Sequence, residues 1–151
     1  MIDLEWRTDA SGMILGARVH DGSLTMFKLL QAKGITIEIQ RLSGERVIFA
    51  LSGLGEWSVL ELRNGAIVSE AFAWRVPAVP ETTWRTGDSG WSALFRNLLP
   101  ESDARGRAAD IVRQRPNSWL FQMGFAYGGN LAAVCDRIAL MQLDREPAAP
   151  I

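Results

Sequence analysis

Apolar and polar residues alternate through the first half of the chain. Ile2, Leu4 and Trp6 fall on one side of an extended backbone, with Asp3, Glu5 and Arg7 on the other. Ile35, Ile37 and Ile39 repeat the pattern, as do Val47, Phe49 and Leu51. A period of two over several segments predicts strands buried on one face. Turn signals separate them at Ser11-Gly12, Asp21-Gly22, Lys33-Gly34, Ser43-Gly44, Gly53-Leu54-Gly55 and Asn64-Gly65. That spacing is the rhythm of a β-meander. Asp-Gly and Asn-Gly are the stronger signals, because a type I′ hairpin turn needs positive φ at both central residues.

The next strand, over residues 66–76, is less regular. Val68, Phe72, Trp74 and Val76 line one face and Glu70 interrupts it, as an edge residue or one paired with an arginine would. After Pro77 and Pro80 the period lengthens. Asp88 or Ser89 can cap a helix in which Trp91, Leu94, Phe95 and Leu98 share a face, ended by Pro100. Ser102 can cap a second, arginine-rich helix that stops before Pro116 and carries a thin stripe of Ala104, Ala108, Ile111 and Val112. From Trp119 to Tyr127 the spacing fits either a strand or a helix. Beyond Gly128-Gly129, Leu131, Val134, Cys135 and Ile138 fit a helix, while Ala133 to Leu143 also fits a returning strand. The expected fold is a single α+β domain over residues 1–144, a largely antiparallel β-meander that could curl into a half-barrel, followed by a helical C-terminal third. Residues 145–151, with two prolines, are expected to be a flexible tail.

Composition narrows the class. A chain of 151 residues that is 48% hydrophobic and 22% charged suits one globular domain. Its net charge of −1 argues against direct nucleic-acid binding, which rests on a basic surface. The most apolar stretch, Trp119 to Met141, is broken by Gln122, Asn130, Asp136 and Arg137 and does not read as a membrane span. The N-terminus has no signal-peptide pattern. Together with a single cysteine, Cys135, these features lead us to expect a cytoplasmic protein without disulfides.

No residues are spaced for catalysis. The lone histidine, His20, sits beside a turn with no marked nucleophile or orienting partner. Cys135 lies among alanines, Val134 and Ile138, the surroundings of an inert thiol. Gly53-Leu54-Gly55 lacks the rest of a dinucleotide fingerprint. No cofactor and no metal is expected. Arg105, Arg107, Arg113 and Arg115 form the one basic cluster, and Glu101, Asp103 and Asp110 interleave with it as on a solvated, internally paired helix face.

The segment Phe95-Arg96-Asn97-Leu98-Leu99-Pro100-Glu101-Ser102, with Arg105 downstream, resembles a signature of the N-terminal subdomain of HipA-type toxin kinases, Phe-x-Asn-Leu-Leu-Pro-(Asp/Glu)-(Ser/Gly) followed by an arginine. In that family the signature follows a small β-rich unit and precedes a helix. A segment resembling Phe-x-Leu-Leu-x-x-Ile-Gly-x-Asp-x-x-Gly-Ala-Val then closes the subdomain. Trp119-Leu120-Phe121, Phe125 to Gly129 and Leu131 to Val134 make a weaker, collinear counterpart, so the resemblance spans residues 35–143. Ala126 and Ala132 stand where the family has glycines, and Gly128 replaces an acidic residue. Ala71 to Val79 holds the place of a Pro-Leu-Ser-x-Ser-Leu-Pro segment without reproducing it.

The resemblance implies a detached, noncatalytic domain. It would be an antitoxin-type or regulatory subunit that binds and neutralises a HipA-like serine/threonine kinase lacking its own N-terminal subdomain. A DNA-binding antitoxin would be reached through that kinase. The partner-binding candidates are Trp84 and Trp91, which flank a polar loop, with Arg85 and Asp88 from that loop. Trp84 is the better anchor, because the spacing of Trp91 to Leu94, Phe95 and Leu98 places it under the helix. Phe95, Leu98 and Leu99 are expected to hold the domain together, with Asn97 fixing the local turn; truncating Leu98 should then cost about 2–5 kcal/mol. Two further classes stay open: a small-ligand-binding half-barrel with Glu70 orienting the ligand, and an immunity protein against an unrelated toxin.

Overall fold

The strands that alternate most cleanly form the centre of the first sheet. In β5 (Gly34–Gln40) and β6 (Arg46–Ser52), Ile35, Ile37 and Ile39 face Val47, Phe49 and Leu51, all buried, in an antiparallel register that sets Ile37 opposite Phe49. Each such side chain removed from water contributes roughly 1.5–3 kcal/mol. A computed structural model describes residues 1–31, 33–95 and 98–143; the expected tail lies outside the described residues. Five strands make this sheet, in the order β1 (Ile2–Leu4), β11 (Arg137–Leu143), β6, β5, β4 (Ser23–Leu30). β2 (Arg7–Thr8) and β3 (Ile14–Leu15) pair as a separate small hairpin.

The second sheet is antiparallel and four-stranded, in the order β7 (Trp57–Leu60), β10 (Asn130–Cys135), β9 (Trp119–Phe125), β8 (Val68–Arg75). Both of its faces are covered. One meets the first sheet, with Phe121 against Phe49 at 5.6 Å between ring centroids and Met123, Leu131, Ala133 and Cys135 filling the same core. The other meets the helices α1 (Thr83–Thr86), α2 (Gly90–Phe95) and α3 (Glu101–Gln114), which bury Trp74, Leu120, Ala132 and Val134. The α+β class is therefore as expected, but the helices occupy residues 83–114 and the chain returns through three strands. The helix that Leu131, Val134, Cys135 and Ile138 suggested is not formed. Every residue of β10 is buried, and a strand covered on both faces loses the alternation that would distinguish it from a buried helix.

A register shift explains Glu70. Val68 pairs with Phe125 and Glu70 with Gly124, so Ser69 is extra in β8. The bulge turns Val68 toward the first sheet with Ala71 and Ala73, and turns Phe72, Trp74 and Val76 toward the helices. The isolated bridge Ser23–Ile67 joins the two sheets at one corner. The Asp21-Gly22 and Asn64-Gly65 turns are not type I′: Asp21 (φ 63°) and Gly65 (φ 80°) each supply positive φ without their partner. Ser102 does not cap α3. That helix starts two residues earlier, with Pro100 at its N-cap, and Glu101 and Asp103 place negative charge in its first turn. Among the described residues no helix is long and apolar enough to cross a membrane.

Candidate functional site

The helical layer ends short of one edge of the second sheet and leaves a cleft of about 350 Å³. Its floor is built from helix-facing positions on three strands: Glu70 and Phe72 on β8, Gln122 and Gly124 on β9, Asn130 on β10. The loop between α1 and α2 supplies Asp88 and Ser89, and the β9–β10 turn supplies Gly128 and Gly129. The gap exists because Gly124 stands opposite Glu70 with no side chain to fill it.

Two buried amides set the chemistry of this floor. Asn130 Nδ2 donates to the Asp88 carbonyl at 2.6 Å, and Gln122 Nε2 donates to Asn130 Oδ1 at 3.4 Å. A carbonyl can only accept, so Asp88 fixes which way Asn130 points, and Asn130 in turn fixes Gln122. The relay ends on Gln122 Oε1, a buried acceptor with no donor among the described residues. Leaving such a group unsatisfied costs about 1–3 kcal/mol. His20 supports the rim: its Nδ1 donates to the Ser69 carbonyl at 2.6 Å, holding the bulge that turns Glu70 into the cleft. Beside the cleft, Tyr127 is fully exposed and held at φ 68°, a left-handed conformation that is uncommon for an aromatic residue.

The four residues read from sequence as partner contacts separate. Asp88 lines the cleft and Arg85 is exposed on α1. Trp91 is buried, as its spacing required. Trp84 is not a free, projecting anchor. It is half-buried, stacked on Trp91 at 6.3 Å and on Phe95 at 6.1 Å, with the Arg105 guanidinium 4.9 Å from its ring centre. Arg105 also pairs with Glu81 at 2.5 Å, and chiefly that hydrogen bond raises its pKa above the usual arginine value.

The signature segment divides as well. Phe95 is buried among the aromatic rings, but Leu98 is 79% exposed and Leu99 is exposed beside it. Leu98 therefore does not hold the domain together, contrary to expectation, and no cavity would follow from its truncation. Leu99 borders a surface depression with Glu56, Ser102, Asp103, Gly106, Arg107 and Asp110. Pro100, Glu101 and Ser102 are exposed at the start of α3. Asn97 lies outside the described residues. Along α3, Arg107 pairs with Glu56 and Arg113 with Asp110, and just past its end Arg115 pairs with Asp136. The four arginines are all paired, but only Arg113 with Asp110 and Arg105 with Glu101 pair along the helix. Glu81, Glu56 and Asp136 come from other segments, so the expected pairing within the helix face holds only in part.

Cys135 is buried between the sheets, and burial pushes its thiol up to about 12. Asp136 accepts from Arg115 at 2.9 Å and from Ser118 at 2.7 Å, which holds its carboxyl below the ordinary aspartate value. Among the described residues no group of three or more His, Cys, Asp or Glu is placed to hold a metal ion. Sequence reasoning missed Gln122, Asn130 and His20 as site residues. A polar residue at the helix-facing position of a doubly buried strand was the available signal. Comparison with known proteins gave no matching family model, curated protein or solved structure.

Proposed function

We propose that this chain is a noncatalytic antitoxin-type or regulatory subunit that acts in the cytoplasm. In this reading it binds a HipA-like serine/threonine kinase lacking its own N-terminal subdomain and holds it inactive. The supporting observation is how the segment Phe95–Ser102 divides: Phe95 anchors it in the core while Leu98 and Leu99 face solvent. The fold makes little use of Leu98, which is 79% exposed, and leaves part of Leu99, 38% exposed, available to a partner. Burying an exposed leucine such as Leu98 against another surface contributes roughly 1.5–3 kcal/mol, and the part-covered Leu99 contributes less. About 2.8 kcal/mol corresponds to a hundredfold preference for one kinase conformation over another. Phosphoryl transfer depends on aligned lobes, nucleotide and metal ions, so a domain that favours a misaligned arrangement inhibits without doing chemistry. DNA would be reached only through the kinase and its own partners.

The test is autophosphorylation of such a kinase with increasing amounts of this chain. Activity should fall to a plateau at a fixed stoichiometry with the wild type and persist with the Leu98→Asp/Leu99→Asp variant. Unchanged autophosphorylation, with the two proteins eluting separately on gel filtration, would overturn the proposal.

A further inference from the structure

We infer that the cleft over β8, β9 and β10 is a binding site for a guanidinium group. The first observation is the amide relay: with Asn130 fixed by the Asp88 carbonyl and Gln122 fixed by Asn130, Gln122 Oε1 is left needing a hydrogen-bond donor. Gln122 is 4% exposed and lines the cleft, so a donor entering there is the partner that the described residues do not provide. The second observation is charge. Among the described residues Glu70 and Asp88 line the cleft, and no lysine, arginine or histidine does. Acceptors and two carboxylates disfavour an anion and favour a donor-rich cation.

The shape of the cleft narrows the choice. Phe72, half-buried in the cleft lining and stacked on Trp74 at 5.3 Å, adds an aromatic ring against which a flat cation can pack. Gly124, Gly128 and Gly129 leave room for a planar head group, and about 350 Å³ is at the small end of ligand sites. Guanidinium carries five N–H donors in a rigid fork and is weakly hydrated, so it can meet carboxylate and amide oxygens together. An ammonium is a compact, strongly hydrated point charge and leaves the aromatic wall unused. The same head group can arrive on a free small molecule or on an arginine side chain of a polypeptide. The site stands on its own residues and does not depend on docking to a kinase.

The experiment follows the ¹⁵N-labelled full chain by NMR during titration with L-arginine amide, with the neutral isostere L-citrulline amide, and with the capped tripeptide Gly-Arg-Gly. L-arginine amide should shift the amide signals of Gly124, Gly128, Gly129 and Asn130 saturably. L-citrulline amide should bind about tenfold more weakly. Glu70→Gln and Asp88→Asn, both at exposed carboxylates, should each weaken L-arginine amide about fivefold, and added salt should weaken it further. Gln122→Met should weaken it with an unchanged circular dichroism spectrum; if that variant does not fold, the two carboxylate variants still decide. Tighter binding of the tripeptide than of L-arginine amide assigns the group to a polypeptide, and the reverse assigns it to a free ligand. Equal binding of the citrulline and arginine amides, unchanged affinity in the carboxylate variants, or no shifts at millimolar ligand would overturn the inference.

Discussion

Trp74 Nε1 donates a 2.9 Å hydrogen bond to the Ser11 carbonyl, and the indole closes over Gly12 so tightly that a Cβ there would lie 2.0 Å from the same nitrogen. Gly12 also has φ 92°, a conformation only glycine adopts without strain. The contact fastens the β2–β3 hairpin to β8, which the Met13–Phe72 bridge joins at the same place. Gly12→Ala should therefore lower stability by about 3 kcal/mol through clash and backbone strain together. Gly65→Ala, at φ 80° in open space, should cost only about 1 kcal/mol. Urea unfolding of the two variants checks the difference, and equal midpoints would show that Trp74 does not press on Gly12.

Within one signature, Phe95 and Leu98 should behave oppositely. Phe95→Ala removes a ring buried against Trp84 and Trp91 and should cost about 3–5 kcal/mol. Leu98→Ala, at an exposed position, should stay within about 0.5 kcal/mol of wild type. Thermal melts of both variants measure this directly.

Trp84→Ala should not be silent in stability. The indole stacks on Trp91 and Phe95 and carries Arg105 over its ring, so its loss should cost about 1–3 kcal/mol. Denaturant unfolding checks it, and a partner-binding defect in this variant is interpretable only after that measurement.

Cys135 should resist alkylation in the native protein at pH 8. Its thiol is buried and pushed up to about 12, so almost no thiolate forms. Iodoacetamide labelling should appear only under denaturing conditions; rapid native labelling would mean that the core between the sheets opens readily.

Asp136 gives stability a defined acid limb. Arg115 and then Ser118 hold its folded-state pKa below the unfolded value, so the unfolded chain binds the proton more readily. The contribution is present above the ordinary aspartate range and is lost as pH falls through the depressed folded-state value. The side chain is 64% exposed, so solvent screening keeps the effect modest. Asp136→Asn should flatten that limb in urea titrations between neutral and acidic pH, and an unaltered pH profile would contradict it.

How far the sequence could be read follows from burial. β5 and β6 were legible because each has one wet face, and the α3 stripe because Ala104, Ala108 and Ile111 are buried in the helix–sheet core with Val112 packed beside them. β10 was not, because cores on both faces erase the alternation. β9 keeps it at Trp119, Phe121, Met123 and Phe125, but Leu120, buried on the other face, let the spacing fit a helix as well. Glu70 looked like an intruder among Val68 and Phe72 only because a one-residue bulge moves Val68 to the other face. Leu98 misled because its spacing from Trp91, Leu94 and Phe95 continues a helical face, whereas α2 is formed over Gly90–Phe95 and Leu98 points outward. The cleft was hardest to see: Gln122, Asn130 and the Asp88 carbonyl come from three separate segments and meet only through the sheet register.

The docking proposal is tested most directly by calorimetric titration of the wild-type chain and its Leu98→Asp variant into a HipA-like kinase lacking its own N-terminal subdomain. Wild type should bind with a defined stoichiometry, and the variant, with an unchanged melting temperature, should bind at least about tenfold more weakly. Equal affinity of the two, or no heat of binding from either, would contradict the account.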